Sequence, residues 1–294
     1  MNGLIIFDKE KGITSHDLVY KVRKKTGIKK VGHAGTLDPM ATGVLIIAIG
    51  KATKVNEYLL LKDKKYIAKI KLGILTDTFD ITGNILEKEN VSVLKKDIEE
   101  VLKRFTGKMS QTPPIYSALK VNGKKLYEYA REGKEVKIKN RIFENKLIDF
   151  NGKDEFSIEI EVSKGTYIRS VAYDIGKAVG TYGTITELRR IKSGNFDIEN
   201  SIKISDFENM SLDELKSNLI PMELALENLK RIEIPKSFKQ NFLNGQFYKL
   251  QDKCEIENYR VYCEDLFLGI GEIRIENGSF FLKMKKKLIG DLWE

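Results

Sequence analysis

Residues Gly32–Leu45, GHAGTLDPMATGVL, join glycines, a histidine, an Asp-Pro step and the start of an apolar run, a combination found nowhere else in the 294-residue chain. Gly32 and Gly35 let the backbone bend where a Cβ would strain it. Asp38-Pro39 favours a turn, and Pro39 can begin a short helix with Asp38 as its cap. Val44–Ile49, VLIIAI, then reads as a buried strand. Catalytic groups are often presented in this way, on a loop beside a rigid sheet. Asp38 therefore has two local readings, a structural cap and a catalytic carboxylate.

Upstream, Gly3–Phe7 is a short strand, and Ser15 is expected to cap a helix carrying Leu18, Val19 and Val22, stopped by Gly27. Downstream, a helix is expected around Ala52–Leu61 and a strand over Tyr66–Leu72, with Tyr66, Ala68, Ile70 and Leu72 on one face. Thr76–Gly83, TDTFDITG, is a polar loop, and Val93–Phe105 a helix. Arg141–Phe150 and Phe156–Val162 alternate as an antiparallel hairpin.

A helix then begins near Tyr167, with Ile168, Val171, Ala172 and Ile175 as its apolar stripe. Arg169 stands in its first turn, where the helix dipole disfavours a cation, so a nearby carboxylate is expected. Thr184–Phe196 carries Leu188, Arg189 and Arg190 ahead of another short strand, and Ser205–Leu229 reads as an acidic helix closing the larger unit. Beyond Pro235 the chain is strand-rich, over Tyr259–Cys263, Leu266–Ile275 and Ser279–Met284, enough for a small β-barrel-like module.

Hydrophobic residues make up 41% of the chain, compatible with a packed core, and 51 Lys+Arg against 42 Asp+Glu leave a net charge of +9. That excess suits a polyanion such as nucleic acid, although lysine-rich surfaces also serve solubility. Cys254 and Cys263 are the only cysteines, too few for a cysteine zinc site and expected to be reduced. No secretory leader or membrane-length apolar run is recognisable, so a cytoplasmic protein is expected.

Residues 108–146 change character, with ten Lys/Arg against four Glu and Pro113-Pro114 interrupting regular structure. Tyr116, Tyr127 and Tyr129 are interleaved with Lys120, Lys124, Lys125 and Arg131. Basic groups neutralise phosphates while aromatic rings stack on bases, and a solvated surface insertion is the alternative.

Five ordered blocks carry a resemblance over nearly the whole chain. They are GHAGTLDPMATGVLIIAIGKATK, DKKYIAKIKLGILTDTFDITG, QTPPIYSALKVNGKKLYEYAREG, SKGTYIRSVAYDIG and TELRRIKSGNF. In these the sequence resembles the bacterial tRNA pseudouridine-55 synthases, which isomerise a uridine in the tRNA T-loop. Lys9-Glu10 departs from the Lys-Pro usual in that family. The resemblance implies an α+β fold, a mixed, largely antiparallel pseudouridine-synthase sheet with flanking helices over residues 1–231. It implies a PUA-type RNA-binding module over 232–294, and an insertion, within 108–146, that clamps the T-loop.

It also implies roles for particular residues: Asp38 as the catalytic aspartate, Arg169 as its ionic partner, Tyr66 as the ring packed on the target base, and Leu188 as an apolar pocket residue. His33 would fill the space left when the T-loop rearranges. Tyr116, Lys120, Lys124, Lys125, Arg131 and Arg189 would contact RNA. No metal, organic cofactor or guide RNA is implied, and a monomer acting on the T-arm is expected.

Isomerisation requires the base to leave the stack and turn in a pocket. Asp38 would act ionised, as nucleophile or as base at the ribose, with Arg169 opposing the protonation that burial favours. Tyr66 would serve as a stacking platform or take the C5 proton. Two other readings are a guide-RNA-dependent pseudouridine synthase and a non-catalytic RNA-binding or RNA-folding protein.

Overall fold

A computed structural model of the chain describes residues 1–111, 120–121, 124–125 and 138–289, with backbone alone at 110–111, 120–121, 124–125 and 138–140. It opens with β1 (Gly3–Lys9) and α1 (Ser15–Thr26). Thr14, not Ser15, caps α1, exchanging hydrogen bonds with Asp17 in a capping box. Ser15 is used elsewhere: its hydroxyl donates to the Leu37 carbonyl (3.1 Å) and accepts from the Leu37 N–H (2.9 Å).

β2 (Val31–His33) and β3 (Thr42–Ile49) flank the Asp38 loop. No helix forms at Pro39. The chain has only Pro39, Met40 and Ala41 before β3 begins, and it closes a turn with the Ala41 N–H on the Asp38 carbonyl at 3.0 Å. The helix expected over Ala52–Leu61 is split into a 3₁₀ segment, Gly50–Val55, and α2 (Asn56–Leu60).

There follow β4 (Lys64–Leu72), the hairpin β5 (Ile74–Thr76) and β6 (Ile85–Lys88), α3 (Lys95–Arg104) and β7 (Gly107–Gln111). A short ladder, β8 (Lys120–Val121) with β9 (Lys124–Lys125), precedes β10 (Ile138–Phe150), β11 (Glu155–Val162) and α4 (Ile168–Val179). β12 (Gly183–Ser193), β13 (Phe196–Asp197) and β14 (Ile202–Lys203) complete the first part. Leu188, Arg189 and Arg190 thus lie inside a long strand of their own, ahead of the short strand β13.

The main sheet has ten strands, its path running β14-β1-β3-β12-β4-β11-β10-β7, with β2 on β3 and β13 on β12. Its pairings are antiparallel except β1 with β14 and β12 with β3. This is the expected mixed, largely antiparallel α+β fold.

β1 and β3 are apolar on both faces because both are covered. Ile5, Phe7, Leu45 and Ile47 pack with Leu18 and Val22 of α1 and Ile168, Val171 and Ile175 of α4. On the other face Leu4, Ile6, Val44 and Ile46 pack with Tyr58, Leu59, Met222 and Leu226. β4 alternates instead, burying Tyr66, Ala68, Ile70 and Leu72. Its Lys65 and Lys69 pair with Glu159 and Glu155 of β11, and Lys71 with Asp154 just before that strand.

Ser205–Leu229 is not one helix. It forms helical turns at Ile204–Asn209 and Leu212–Ser217 and a 3₁₀ segment at Met222–Leu226. Ser211 and Glu214 build a new capping box, and Pro221 has no N–H with which to continue.

A second, five-stranded sheet runs β15-β17-β18-β19-β16, made of β15 (Lys230–Glu233), β16 (Tyr248–Lys249), β17 (Asn258–Cys263), β18 (Leu266–Glu276) and β19 (Ser279–Lys287). β15 lies before Pro235, so this sheet starts earlier than the sequence break suggests. Ile270 and Leu288 reach into the apolar cluster of the main sheet, while Val261, Leu268, Ile273 and Leu282 form a core of their own.

Gly43 stands where β3 runs close against β12. Its φ is +101°, and a Cβ there would stand 2.1 Å from the Arg190 carbonyl. Gly43→Ala is expected to cost ~3 kcal/mol or more, combining left-handed strain with a backbone clash that no rotamer relieves. Denaturant unfolding measures it, and a loss under about 1 kcal/mol would show that β3 and β12 are not held this closely.

Candidate active site

Asp38 is positioned by what grips its loop from below. Ser15 holds Leu37, the Gly12 N–H donates to the Pro39 carbonyl at 2.8 Å, and the Lys9 ammonium reaches the carbonyls of Glu10, Ile13 and Pro39 at 2.9, 2.8 and 3.3 Å. Lys9 is fully buried, and burial pushes its pKa down to about 8, partly countered by the nearby Asp38 charge.

The first turn of α4 brings Arg169 to the same point. Its Nε lies 3.0 Å from an Asp38 carboxylate oxygen. Its Nη1 lies 3.5 Å from an Asp80 oxygen and donates to the Thr78 carbonyl at 3.1 Å. The cation expected to need a carboxylate therefore has two. Asp38 keeps a side-chain exposure of 38%, whereas Arg169 keeps 9% and Asp80 only 5%.

Asp80 was not singled out from the sequence, where TDTFDITG reads as a polar loop. Its carboxylate accepts from Thr78 Oγ1 (3.0 Å), the Thr82 N–H (2.9 Å) and Thr82 Oγ1 (2.5 Å). The loop is sewn to β12 by hydrogen bonds from the Ile81 N–H to the Ile185 carbonyl and from the Ile185 N–H to the Phe79 carbonyl. Phe79, at φ 61°, stacks on Tyr173 of α4 with ring centroids 4.4 Å apart. Two threonines spaced two residues either side of an aspartate were the available signal, because together they can saturate a buried carboxylate.

Asp38 and Arg169 stand at a cavity of about 410 Å³, which Tyr66 and Leu188 also line. Tyr66 and Arg190 are directly opposed across β4 and β12, as are Ala68 and Leu188. The cavity thus has an aromatic wall, an aliphatic wall and a carboxylate beside them, a shape suited to a flat heterocycle. Among the described residues no group of three His, Cys, Asp or Glu could hold a metal ion.

Residues 23–168 match the N-terminal domain of TruB family pseudouridylate synthases, and residues 169–227 match the tRNA pseudouridylate synthase B C-terminal domain. The chain belongs to the TruB family of pseudouridylate synthases. Proteins named tRNA pseudouridine synthase B resemble it closely. That of Clostridium tetani is 43% identical over 92% of this chain and 96% of its own length. That of Clostridioides difficile is 40% identical over 98% and 100%. A solved Cbf5–Nop10–Gar1 complex contains a chain with a TM-score of 0.75 and 26% identity, covering 98% of this chain and 85% of that one. An H/ACA RNP bound to a substrate RNA containing 2′-deoxyuridine shares the fold, at TM-score 0.74 and 23% identity.

The remaining residues considered for this TruB-family site divide three ways. His33 lies in β2, half-buried, off the cavity lining; burial, and then the Arg190 charge, depress its pKa, and its Nδ1 is buried without a partner. Arg189 does not line the cavity either. It makes a two-pronged ion pair with Asp8 at 2.9 and 2.7 Å, with its side chain still 40% exposed. Lys120, Lys124 and Lys125 fall in the short ladder described by backbone alone, and Tyr116 and Arg131 lie outside the described residues.

Removing the Asp80 carboxylate leaves a buried guanidinium short of one partner. Asp80→Ala is expected to cost about 3 kcal/mol, because breaking a buried pair strands a charge. Asp38→Ala, whose side chain is partly in water, is expected to cost at most about 1 kcal/mol. Urea unfolding of the two variants at neutral pH checks this order, and equal losses would show that Asp80 does not anchor Arg169.

Proposed function

We propose that this chain isomerises uridine-55 in the T-loop of tRNA to pseudouridine, with Asp38 as the catalytic carboxylate. The observation that carries the reading is the Asp38–Arg169 ion pair, at 3.0 Å, on the edge of a cavity walled by Tyr66 and Leu188. The target nucleotide flips out of the loop and its uracil enters that cavity. Tyr66 stacks on the ring while Leu188 excludes water from the opposite side. Asp38 acts ionised, as nucleophile at C1′ or as base at the ribose, and Arg169 fixes the carboxylate's orientation.

The N1–C1′ bond then breaks, with its electron pair leaving on the uracil. The ring turns, C5 bonds to C1′, the C5 proton is lost and N1 gains a proton. Atoms balance without any co-reactant. Tyr66 would serve as the stacking platform or take that C5 proton.

The division of labour proposed is a catalytic unit over residues 1–231 and a PUA-type RNA-binding module over 232–294. Residues 108–146 would grip the T-loop, with Tyr116, Lys120, Lys124, Lys125 and Arg131 on RNA. His33 would fill the space left by the rearranged loop. Near-full-length similarity to proteins named tRNA pseudouridine synthase B favours a stand-alone enzyme over a guide-RNA-dependent one. Among the described residues no helix is long and apolar enough to cross a membrane.

The test is incubation of purified protein with transcribed tRNA and no other RNA, followed by carbodiimide-dependent primer-extension stops. A stop at position 55 is expected. A T-stem-loop hairpin should be modified nearly as well, since single-stranded loops are where proteins read RNA bases. Asp38→Asn should bind that hairpin and lose turnover by on the order of a thousandfold or more, because it keeps the side chain's shape and removes its charge. An inert hairpin beside active tRNA would move recognition elsewhere, and a wild-type rate from Asp38→Asn would remove it from the chemistry.

A further inference from the structure

Several cations in and beside the main sheet have a visible carboxylate. Arg169 has two, Arg189 has Asp8, and Lys65, Lys69 and Lys71 have acids on or just before β11. Three buried cations depart from this: Lys9, whose carbonyl bonds hold the Asp38 loop, and Arg190 and Lys64, which unlike Lys9 line the cavity. Arg190 is 2% exposed and Lys64 8%, both line the cavity, and neither has a carboxylate at ion-pair distance among the described residues.

Their hydrogen bonds go to carbonyls alone. Arg190 donates from Nε to Val44 at 2.7 Å and from Nη2 to Gly35 at 3.1 Å. The Lys64 ammonium reaches the carbonyls of Leu59, Leu60 and Lys62 around the end of α2. A neutral amide could donate to a carbonyl, so these bonds do not explain the charges. A buried cation without a counter-ion costs stability, and that cost needs an offset. Burial, followed by the nearby Arg190 charge, pushes the Lys64 pKa down to about 8, as two adjacent cations require.

The position of the pair suggests the offset. Arg190 stands directly across the ladder from Tyr66, and Lys64 lies two residues before Tyr66 on the same face of β4. Both cations therefore flank the ring on which the uracil is proposed to stack. We propose that Arg190 and Lys64 form a fixed positive platform that stabilises the negative charge acquired by the uracil when its N1–C1′ bond breaks. This rests on the function proposed above and deepens it. The bond's electron pair moves onto the ring and its two carbonyl oxygens, and is withdrawn again when C5 joins C1′. Preorganised charge aimed at where charge develops lowers the barrier without paying for reorganisation. The pair assists departure of the base, leaving Asp38 to act at the sugar.

The test uses the T-stem-loop hairpin at pH 7, where Lys64 is still protonated, and measures dissociation constant and saturated single-turnover rate separately. Arg190→Met is expected to slow the saturated rate by about a hundredfold while changing affinity by less than about threefold. Arg190→Lys should recover at least about tenfold of that loss, because it restores charge without restoring the guanidinium bonds. Lys64→Met should slow the rate by about tenfold, again with affinity kept. If Arg190→Met does not fold, Lys64→Met and Arg190→Lys decide by the same criteria.

Unchanged saturated rates in the methionine variants overturn the proposal. So does a loss confined to affinity, which would assign the pair to a phosphate of the bound nucleotide. Either result, beside a wild-type protein that forms pseudouridine, leaves the proposed function standing. A wild-type protein that forms none removes the proposed function itself.

Discussion

A buried arginine held between two carboxylates fixes the geometry on which the site depends. Arg169 sits in the first turn of α4, where the positive end of the helix dipole repels it, and is almost fully removed from water. Such a placement is tolerable only if opposite charge is built around it. Asp80 and the Thr78 carbonyl provide this on one side, from a loop whose hydrogen bonds tie it to β12. Asp38 provides it on the other, from a loop pinned by Ser15 and Lys9. Three segments far apart in sequence are thus locked by one guanidinium, and the carboxylate left with access to solvent is Asp38. The asymmetry follows from burial: Asp80 is saturated by its threonines, whereas Asp38 stays open to the cavity.

Much of this was legible in the sequence because the signals were local. The apolar run of β3, the alternation of β4 and the stripe of α4 each report burial through spacing alone. The need of Arg169 for a carboxylate was legible too, from its place in the helix. Its second partner was not, because Asp80 looks like any loop aspartate until the fold seals it. The same limit explains Ser15 and Arg189. Ser15 was read as a cap because a helix followed, but Thr14 met that need and freed Ser15 for Leu37, 22 residues away. The pairing of Arg189 with Asp8, 181 residues distant, is likewise invisible in the sequence. Long-range pairings leave no trace in spacing, and there the reading stopped.

The second sheet raises a related point about units that look separable in sequence. Pro235 and the change to strand-rich sequence suggest a break, yet β15 has already joined the small sheet by then. Ile270 and Leu288 pack into the cluster that covers the outer face of β1 and β3. Polar contacts follow the same seam, with Lys51 donating to the Ile289 carbonyl, Lys54 to Lys287 and Lys286 to Lys54. Cutting the chain at Pro235 would bare apolar surface on both sides, so loss of RNA affinity in such a truncation would not separate a binding role from a packing role. Charge substitutions on the intact chain separate them, because they leave the shared apolar cluster in place.

Compensated and uncompensated charge together describe how the sheet is used. Where β4 and β11 face solvent, opposite charges alternate across the ladder and contribute little beyond solubility and register. Around Arg169, compensation is complete, and its effect is positional: the guanidinium orients Asp38. At Arg190 and Lys64 compensation is withheld, although both are more deeply buried than the paired lysines of β4. Stability alone would favour the reverse, with acids assigned to the buried cations and the exposed ones left to water. A wall kept positive against that preference is what a site needs if the group it receives becomes negative only during the reaction. In the proposed reaction the ground-state uracil is neutral and would gain little from such a wall, so its benefit would fall on the transition state.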